Sequence, residues 1–322
     1  MKPIILGILA ALFFAVTFVA NRAMDLSGGS WLWSASLRYF FMIPFLLAIV
    51  MVRRNLQQLI KAMKARPLAW MLWSFVGFGL FYAPLCLAAA YSPGWLIAGT
   101  WQITIISGSL LAPLFLETIH TCTGPKKVRG KIPLKGLIMS CIILFGIIIM
   151  QSEHARQISF GTLVLGLLPV LVASFAYPLG NRKMMEVCDG ELDAYQRVLG
   201  MTLASMPLWL VLSVYGFFTV GAPSTSQTFQ SLLVAISSGV IATVLFFMAT
   251  DIVRGNMHKL AAVEATQSIE VLFALAGEMV FLSLAVPTLL SWFGILLVII
   301  GMAAHSYASR IKENPAETAV NM

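Results

Sequence analysis

Ten long apolar stretches divide this chain, and each has about the length of a membrane-spanning helix. Because a helix rises about 1.5 Å per residue, roughly 20 apolar residues are needed to cross the core of a bilayer. The stretches lack the alternation of polar and apolar residues that is typical of barrel strands. The sequence therefore predicts an all-α integral membrane protein with ten transmembrane helices. The stretches cover roughly residues 3–23, 31–52, 68–90, 94–116, 132–151, 160–180, 194–219, 230–250, 260–283 and 286–309.

Composition and charge support a membrane location and indicate an orientation. Hydrophobic residues make up 59% of the 322 residues, charged residues make up 11%, and the mean hydropathy is +0.90. A soluble domain could not cover so much apolar surface. Lys and Arg are concentrated in the connections after even-numbered stretches, which predicts that both termini are cytoplasmic and that the protein lies in the cytoplasmic membrane. The net charge of +8 suits contact with anionic lipid, and no loop is long enough for a nucleic-acid-binding module.

A polar motif at the end of the first stretch is repeated half a chain later. The motif Asn-Arg-x-Met begins at Asn21 and again at Asn181, a separation of 160 positions. Three further landmarks recur at offsets of 159 to 161 and in the same order: Arg38 with Arg197, Gly79 with Gly239, and Glu117 with Glu278. We therefore expect two five-helix repeats, residues 1–155 and 156–310, followed by a polar cytoplasmic tail, 311–322.

The repeat has a consequence for mechanism. Because five is odd, the second repeat enters the membrane from the opposite side, so the two repeats are inverted. Inverted repeats can exchange conformations and open a central cavity to one side and then to the other. The sequence therefore predicts a transporter that works by alternating access.

Two further motifs carry a family resemblance. One is "SLRYFF", which places Arg38 in the second helix, and the other is "ALAGEMVFLSLAVPTLLSWFGILLVIIGM" over 274–302. With the ten spans and the inverted duplication, the chain resembles the ten-helix, EamA-like form of the drug/metabolite transporter superfamily. Its loops and extent look like those of the multidrug resistance efflux branch.

The resemblance implies a secondary carrier that moves small organic solutes, often outward, through a cavity lined by helices other than the fifth and tenth. One departure is plain. The four-helix small multidrug resistance relatives carry a membrane-embedded Glu in their first helix, and residues 3–24 contain no acid. Proton coupling through that residue is therefore not implied.

Ionisable residues inside a bilayer are costly, so each is a candidate site residue. Glu270 is the deepest acid and either exchanges a proton, binds a cationic substrate, or is a structural carboxyl. Glu264, Gln267, Ser268 and Glu278 share another stripe of the same helix and suggest a cavity wall. Alternatively, Glu264 is solvated and Glu278 caps or pins neighbouring helices. Arg38 lies roughly 10 Å deep and either contacts an anionic substrate or pairs internally, for example with Glu270.

Aromatic residues could complete the site. Trp101, Gln102, Tyr82 and Tyr177, together with Tyr39, could form a box for a flat or cationic solute, or could simply pack between helices. We assign structural roles to the repeated polar residues, which are Glu117, Glu278, Asn21, Arg22, Asn181 and Arg182.

The resulting hypothesis is a proton-coupled exporter of drugs or metabolites. An importer, exchanger or facilitator of a specific metabolite, such as an amino acid or a nucleoside-like compound, is the alternative. The motifs of a zinc enzyme, a serine hydrolase and an ATP-driven pump are absent from the sequence, so we expect no catalysis, no cofactor and no metal site. The expected partners are a small-molecule substrate, protons and lipid, and the protein could act as a monomer or a homodimer.

Overall fold

The computed structural model describes residues 2–121, 124–132, 134–155, 158–254, 256–283 and 286–310. Within these residues the protein is a helical bundle with one two-stranded hairpin. The first part comprises α1 (Lys2–Leu26), α2 (Trp31–Val52), α3 (Leu56–Ala65), α4 (Pro67–Ser74), a π-helical turn (Phe75–Gly79), α5 (Leu80–Ala89), α6 (Gly94–Trp101), α7 (Ile103–Leu110), a 3₁₀ turn (Ala112–Leu114), β1 (Leu116–Thr121), β2 (Gly124–Arg129) and α8 (Leu134–Ala155).

The second part of the chain is helical and has no hairpin in its described residues. It comprises α9 (Phe160–Cys188), α10 (Ala194–Val220), α11 (Thr225–Val234), a π-helical turn (Ala235–Ala242), α12 (Thr243–Ile252), α13 (Met257–Glu264), a 3₁₀ turn (Ala265–Ile269), α14 (Glu270–Phe281) and α15 (Leu289–Arg310).

Seven helical segments of the described chain are long and apolar enough to cross a membrane, and two more apolar helices are shorter. The prediction of an all-α, multi-pass membrane protein is therefore confirmed. The seven are Lys2–Leu26, Trp31–Val52, Pro67–Ala89, Phe160–Cys188, Ala194–Val220, Thr225–Ile252 and Lys259–Phe281, and the shorter two are Leu137–Ser152 and Leu289–Ala304.

The fourth apolar stretch differs from its prediction. It is not one helix over 94–116, because the helix is interrupted at Gln102 and ends at Leu110. Pro113, in the short 3₁₀ turn that follows, cannot donate a backbone hydrogen bond, and the chain then enters β1, where Glu117 pairs with Val128 of β2. Glu117 is thus on a strand and not at a helix end, and its side chain lies outside the described part of the structure.

Local sequence explains where several helices begin and end. Ser30 accepts a hydrogen bond from the backbone N–H of Leu32 and starts α2. Asp193 and Gln196 form a reciprocal capping box at the start of α10. That helix ends at Gly221, whose φ of +79° is accessible to glycine at little cost.

Helices of the first part of the chain pack against helices of the second. The helices α8 and α15 pack along each other, as do α2 and α10. In addition, α5 contacts α9, and α12 contacts α1. Both π-helical turns lie within these contacts, in the third and eighth apolar stretches. The aromatic residues that converge between these helices surround the candidate site.

One crossing of helices depends on two glycines. A Cβ atom added at Gly180 of α9 would lie 2.2 Å from the Cα of Gly77 in the first π-helical turn. Real side chains do not tolerate such a distance, so glycine at Gly180 lets the two backbones touch. The crossing fixes α9, and with it Tyr177, against the third apolar stretch.

Candidate functional site

A small cavity in the bundle has a volume of about 20 Å³, which is enough for about one water molecule. Residues from both halves of the chain line it, and most of them are aromatic or polar. The lining comprises Phe14, Thr17, Phe18, Arg38, Phe81, Leu85, Trp101, Tyr177, Ser238, Gln267 and Glu270. Five of the sequence-predicted site residues, Arg38, Trp101, Tyr177, Gln267 and Glu270, are therefore brought together.

The carboxyl group of Glu270 is buried in this cavity without a partner. The residue opens α14 and is 1% exposed. Its Oε1 atom has no hydrogen-bond partner, and no ion pair of Glu270 occurs among the described residues. Since burial of an unsatisfied ionisable group is unfavourable, Glu270 is the strongest candidate for a group that meets a substrate or a proton.

Arg38 faces the same cavity and also lacks a hydrogen-bond acceptor. Its side chain is buried, and its guanidinium carbon lies 4.0 Å above the ring of Tyr82 and 5.6 Å from the ring of Tyr39. The Nε and Nη1 atoms have no hydrogen-bond partner. Arg38 does not form an ion pair with Glu270, so the internal partners of this arginine are aromatic faces and not a carboxylate.

Tyr82 supports Arg38 and does not itself line the cavity. Its hydroxyl donates a hydrogen bond of 3.3 Å to Oδ1 of Asn21, whose Nδ2 atom lies 3.5 Å from Sγ of Cys86. These contacts fix the Tyr82 ring beneath the guanidinium of Arg38. Asn21, which the sequence marks as structural, thus connects the first helix to the arginine through Tyr82.

Gln267 and Glu270 line the same cavity and are three residues apart along the chain. Side chains at this spacing are neighbours on a regular α-helix and eclipse each other in a 3₁₀ helix, and residues Ala265–Ile269 form a 3₁₀ turn. Nε2 of Gln267 also donates a hydrogen bond of 3.2 Å to the carbonyl of Gly7 in α1. The spacing therefore brings an amide and a carboxyl into the lining of the cavity.

Three aromatic rings form one continuous surface of the cavity. The centroids of Phe81 and Tyr177 are 4.5 Å apart, those of Phe81 and Trp101 are 5.2 Å apart, and those of Trp101 and Tyr177 are 5.6 Å apart. The buried hydroxyl of Tyr177 has no hydrogen-bond partner in the described part of the structure. Tyr177 lines the same cavity as Arg38 and Glu270.

Glu264 lies outside this cavity, in a buried ion pair with Arg182. Nη2 of Arg182 donates to Oε2 of Glu264 over 2.7 Å, and Nε donates to Oε1 over 3.1 Å. Nη1 of Arg182 donates to the carbonyl of Gly108 over 2.7 Å. The solvated alternative for Glu264 is wrong, since the residue is 4% exposed. The pair joins α9 and α13 to α7.

Two further sequence-predicted residues also make structural contacts. Glu278 accepts hydrogen bonds from the backbone N–H groups of Gly94 (2.7 Å) and Trp95 (3.1 Å) and so caps the start of α6. Gln102 does not line the cavity, because its Nε2 atom donates to the carbonyls of Ala98 and Gln267.

The repeated Asn-Arg motif is used differently in the two halves. Arg22 is partly exposed and donates to Asp25 and to the carbonyl of Ala89, whereas Arg182 is buried against Glu264. Asn181 is buried, and its Oδ1 atom has no hydrogen-bond partner.

The two repeated arginines of the second and seventh stretches also differ. Arg197, like Arg38, is buried over an aromatic ring, that of Phe247 at 4.3 Å. Arg197 also pairs with Asp251, so it is not the interfacial residue that its position near a helix start suggests. Arg38 has the same kind of aromatic support but no carboxylate.

Sequence reasoning missed the lining that comes from α1 and from the second π-helical turn. Thr17 donates a hydrogen bond to Ser238 across this wall, and Phe14 and Phe18 supply apolar surface beside it. One sequence signal was available for Ser238. The next residue, Gly239, is one of the residues that recur at an offset of about 160. The α1 residues carry no comparable signal, since Phe and Thr are common in apolar helices.

The fold and the cavity define a class of protein, a multi-pass helical membrane protein with a small, mostly aromatic and polar cavity between its helices. Residues 1–311 match the model of the EmrE family, described as "Putative multidrug resistance efflux transporter". The chain belongs to this family. Membership supports a membrane transporter with a small-molecule substrate and a lipid environment, and a non-enzymatic role is plausible for such a family.

Two relatives match over most of this chain, and their names state no activity. The chain is 57% identical over 322 residues, 100% of its own length and 99% of the relative's, to "Uncharacterized protein YjlA" of Bacillus subtilis (strain 168). It is 52% identical over 268 residues, 83% of its length and 70% of the relative's, to "Uncharacterized 42.1 kDa protein in intracellular alkaline protease 3'region" of Shouchella clausii.

A solved structure shares the fold. It is titled "Crystal structure of protein", and it superposes with a TM-score of 0.66 at 13% sequence identity, covering 97% of this chain and 99% of the other. At this identity the likeness extends to the fold alone.

Proposed function

We propose that the protein is a secondary active transporter that exports small organic solutes from the cell by alternating access, in exchange for protons taken up at Glu270. The observation that carries this proposal is the carboxyl of Glu270, which is 1% exposed and has no partner in a central cavity. The charged or titratable side chains of the cavity lining are Glu270, Arg38 and Tyr177. Glu270 is the acid among them.

Exchange at this carboxyl follows from competition for one site. A solute that interacts with the ionised carboxylate displaces its proton, and a proton that returns displaces the solute. Each state of the carboxyl then has a partner, so that an uncompensated buried charge does not persist in either. Glu264 is less suited to this role, because Arg182 already compensates its charge.

Alternating access draws support from the similarity of the two halves. Each half contains a π-helical turn in its third stretch and a change of helical winding in its fourth. The contacts of α5 with α9 and of α12 with α1 correspond to each other. Such similarity suits two inverted five-helix repeats that exchange conformations around a fixed site, with both termini in the cytoplasm.

Proton release upon solute binding tests the coupling. Purified protein in detergent and weak buffer is titrated with a panel of cationic drugs and amino acids, and the released protons are measured. We expect release from the wild type and from Glu264→Gln, and none from Glu270→Gln. Solute binding without release in every variant would overturn the proton coupling.

Cross-linking tests alternating access separately. Nε2 of Gln227 donates to the carbonyl of Ser30 over 2.7 Å and joins α11 to the start of α2, which belong to different halves. A thiol cross-link between cysteines at these two positions is expected to stop transport in proteoliposomes, and cleavage of the link is expected to restore it. Full transport by the linked protein would exclude movement of the halves at this end.

A facilitator or importer of one metabolite is the second candidate. The unpaired guanidinium of Arg38 favours it, because a broad exporter of cationic drugs gains nothing from a buried positive charge beside its substrate. Solute movement that is driven by its own gradient and is unaffected by a pH gradient would favour this candidate over the exporter.

A further inference from the structure

We propose that a lateral groove of the bundle, formed by residues 262–272, the start of α1 and residues 299–303 of α15, binds one anionic phospholipid. An acyl chain of the lipid lies in the groove, and its phosphate lies at the end where α1 begins. The groove is separate from the small cavity that Glu270 lines. The proposal concerns lipid binding and does not depend on the transport cycle.

The groove is large enough for a chain of many atoms. Its volume is about 260 Å³, against about 20 Å³ for the cavity at Glu270. Since roughly 10–15 Å³ of such volume is enough for one water molecule, the groove exceeds that need many times over. It is therefore the place in the described structure where a ligand larger than water fits without movement of the helices.

Three helical segments build the groove. Its floor runs from α13 through the 3₁₀ turn into α14, and the floor packs against α1 on one side and α15 on the other. The floor carries the small side chains of Ala262, Ala265 and Ser268. The walls include Ile4 of α1 and Met302 of α15. Small residues beneath larger walls leave the space between the two walls open.

The walls of the groove face the bilayer. All three segments belong to the apolar helices of the described chain. On α1, exposed apolar residues recur at helical spacing along one face, and these are Ile5, Ile8, Leu9 and Leu12. On α15, Leu296 and Ile300 are exposed one turn apart, followed by Ala303. The groove therefore opens towards lipid chains, which are the solvent at such a surface.

The polar groups of the floor make no demand on a ligand. Oγ1 of Thr266 donates to the carbonyl of Val263 over 2.6 Å, and Oγ of Ser268 donates to the carbonyl of Ala265 over 2.7 Å. The other residues of the lining are Ala, Ile, Leu and Met. A polar solute would lose hydrogen bonds to water on entry and find no free donor, whereas an acyl chain loses none.

The length of the groove matches one leaflet. Ala262 and Leu272 both line it and are ten residues apart, which is roughly 15 Å at a rise of about 1.5 Å per residue. The hydrocarbon core of a bilayer is about 30 Å thick, so one leaflet accounts for about half of this. Ile4, near the start of α1, marks the end of the groove at the membrane surface. One acyl chain can thus follow the groove from the surface inward.

Positive charge lies at the same end of the groove. Lys2 is two positions before Ile4, and Lys259 is three positions before Ala262, so each lysine lies within one helical turn of a lining residue. Both lysines are exposed. The acid of α13 already has an arginine partner, and α15 contains no acid. Lysines at a membrane surface attract anionic headgroups, so the charge of this end complements a lipid phosphate.

A photoactivatable phosphatidylglycerol with a diazirine in one acyl chain tests the proposal. The probe is added to the detergent-purified full-length protein and irradiated, and the labelled peptides are identified by mass spectrometry. We expect saturable labelling of peptides that contain residues 262–272 and 299–303. Unlabelled phosphatidylglycerol is expected to compete at a concentration at least about fivefold lower than phosphatidylcholine, because the lysines favour the anionic headgroup.

Variants separate the chain site from the headgroup site. Ala262→Phe fills the groove from its floor and Ala303→Phe fills it from a wall, so each is expected to lose the saturable labelling. Ala276→Phe is the matched control, since Ala276 is exposed on α14 outside the lining, and it should label like the wild type. The double variant Lys2→Gln/Lys259→Gln should keep the labelling but lose the preference for phosphatidylglycerol. Thermal unfolding checks that each variant is folded.

The contrary outcomes are distinct. Labelling that spreads over the exposed helices without saturation would show ordinary boundary lipid and overturn the proposal, as would wild-type labelling in folded Ala262→Phe and Ala303→Phe. Equal competition by the two lipids would refute the anionic headgroup. A wild-type dimer that excludes the probe from the groove and dissociates in Ala303→Phe would instead assign the groove to a second copy of the chain.

Discussion

Arg182 and Glu264 are joined by two hydrogen bonds at a point where neither side chain is more than 5% exposed. Removal of one member leaves the other charge buried and uncompensated, which typically costs about 3–5 kcal/mol. We therefore expect Glu264→Gln to lower the thermal unfolding temperature of the detergent-purified protein markedly. The double variant Arg182→Met/Glu264→Leu should recover much of the loss, since it removes both charges.

Glu270→Gln is the matched control for this prediction, because it neutralises another buried carboxyl that has no arginine partner. It is expected to leave the unfolding temperature unchanged or to raise it. If Glu264→Gln were as stable as the wild type, the pair with Arg182 would not stabilise the fold, and Glu264 would again be a candidate for coupling.

Glu278 caps α6 and is expected to contribute to stability without taking part in binding. Its two oxygens accept from the N–H groups of Gly94 and Trp95. Glu278→Ala leaves both donors unsatisfied and should lower the free energy of unfolding by about 1.5–3 kcal/mol. Glu278→Gln keeps one acceptor oxygen and should lose less. The wild type is expected to have the highest unfolding temperature, followed by Glu278→Gln and then by Glu278→Ala.

The large features of the fold are readable from the sequence because they depend on local composition. A helix that crosses a bilayer must be apolar along most of its length, so each span appears in the sequence as a stretch of high mean hydropathy. Glu270 stands out for the same reason, as an acid in the middle of such a stretch. Arg38, Trp101 and Tyr177 are likewise visible as charged or large aromatic residues inside helices.

The arrangement of the site depends on contacts that leave no local pattern. Arg182 and Glu264 are 82 positions apart but form an ion pair. The sequence suggests a structural role for Arg182 and a position on the cavity wall for Glu264, and gives no sign that the two meet. The change from α-helix to a 3₁₀ turn over Ala265–Ile269 is likewise not marked by any proline or glycine in that segment. The fourth helix was expected to continue to residue 116, but it ends at Leu110 and the chain then enters β1 and β2. The prediction rested on the number of apolar residues, which does not take account of the helix-breaking Pro113.

Gly180 and Gly161 lie on the same helix, α9, but only the first should resist substitution. A Cβ at Gly180 would meet the backbone of Gly77 at 2.2 Å, whereas the nearest atom to a Cβ at Gly161 is Oγ of Ser159 at 3.9 Å. Gly180→Ala is expected to destabilise the protein by about 1–3 kcal/mol or more, since backbone atoms cannot move aside easily. Gly161→Ala should be neutral or slightly stabilising, because alanine favours helix by up to about 1 kcal/mol. Thermal unfolding of the two variants compares these effects, and equal unfolding temperatures would show that the helices do not cross this closely.

The inverted orientation of the repeats predicts which loops face which side of the membrane. The segment after α1 contains Ser27, and the segment after α9 contains Glu191, and both residues are exposed. If the first half and the second half enter the membrane from opposite sides, these equivalent loops lie on opposite faces. In a variant without native cysteines, Ser27→Cys should react with a membrane-impermeant maleimide in intact cells. Glu191→Cys should react only after the membrane is permeabilised, and labelling of both in intact cells would contradict the inverted repeat.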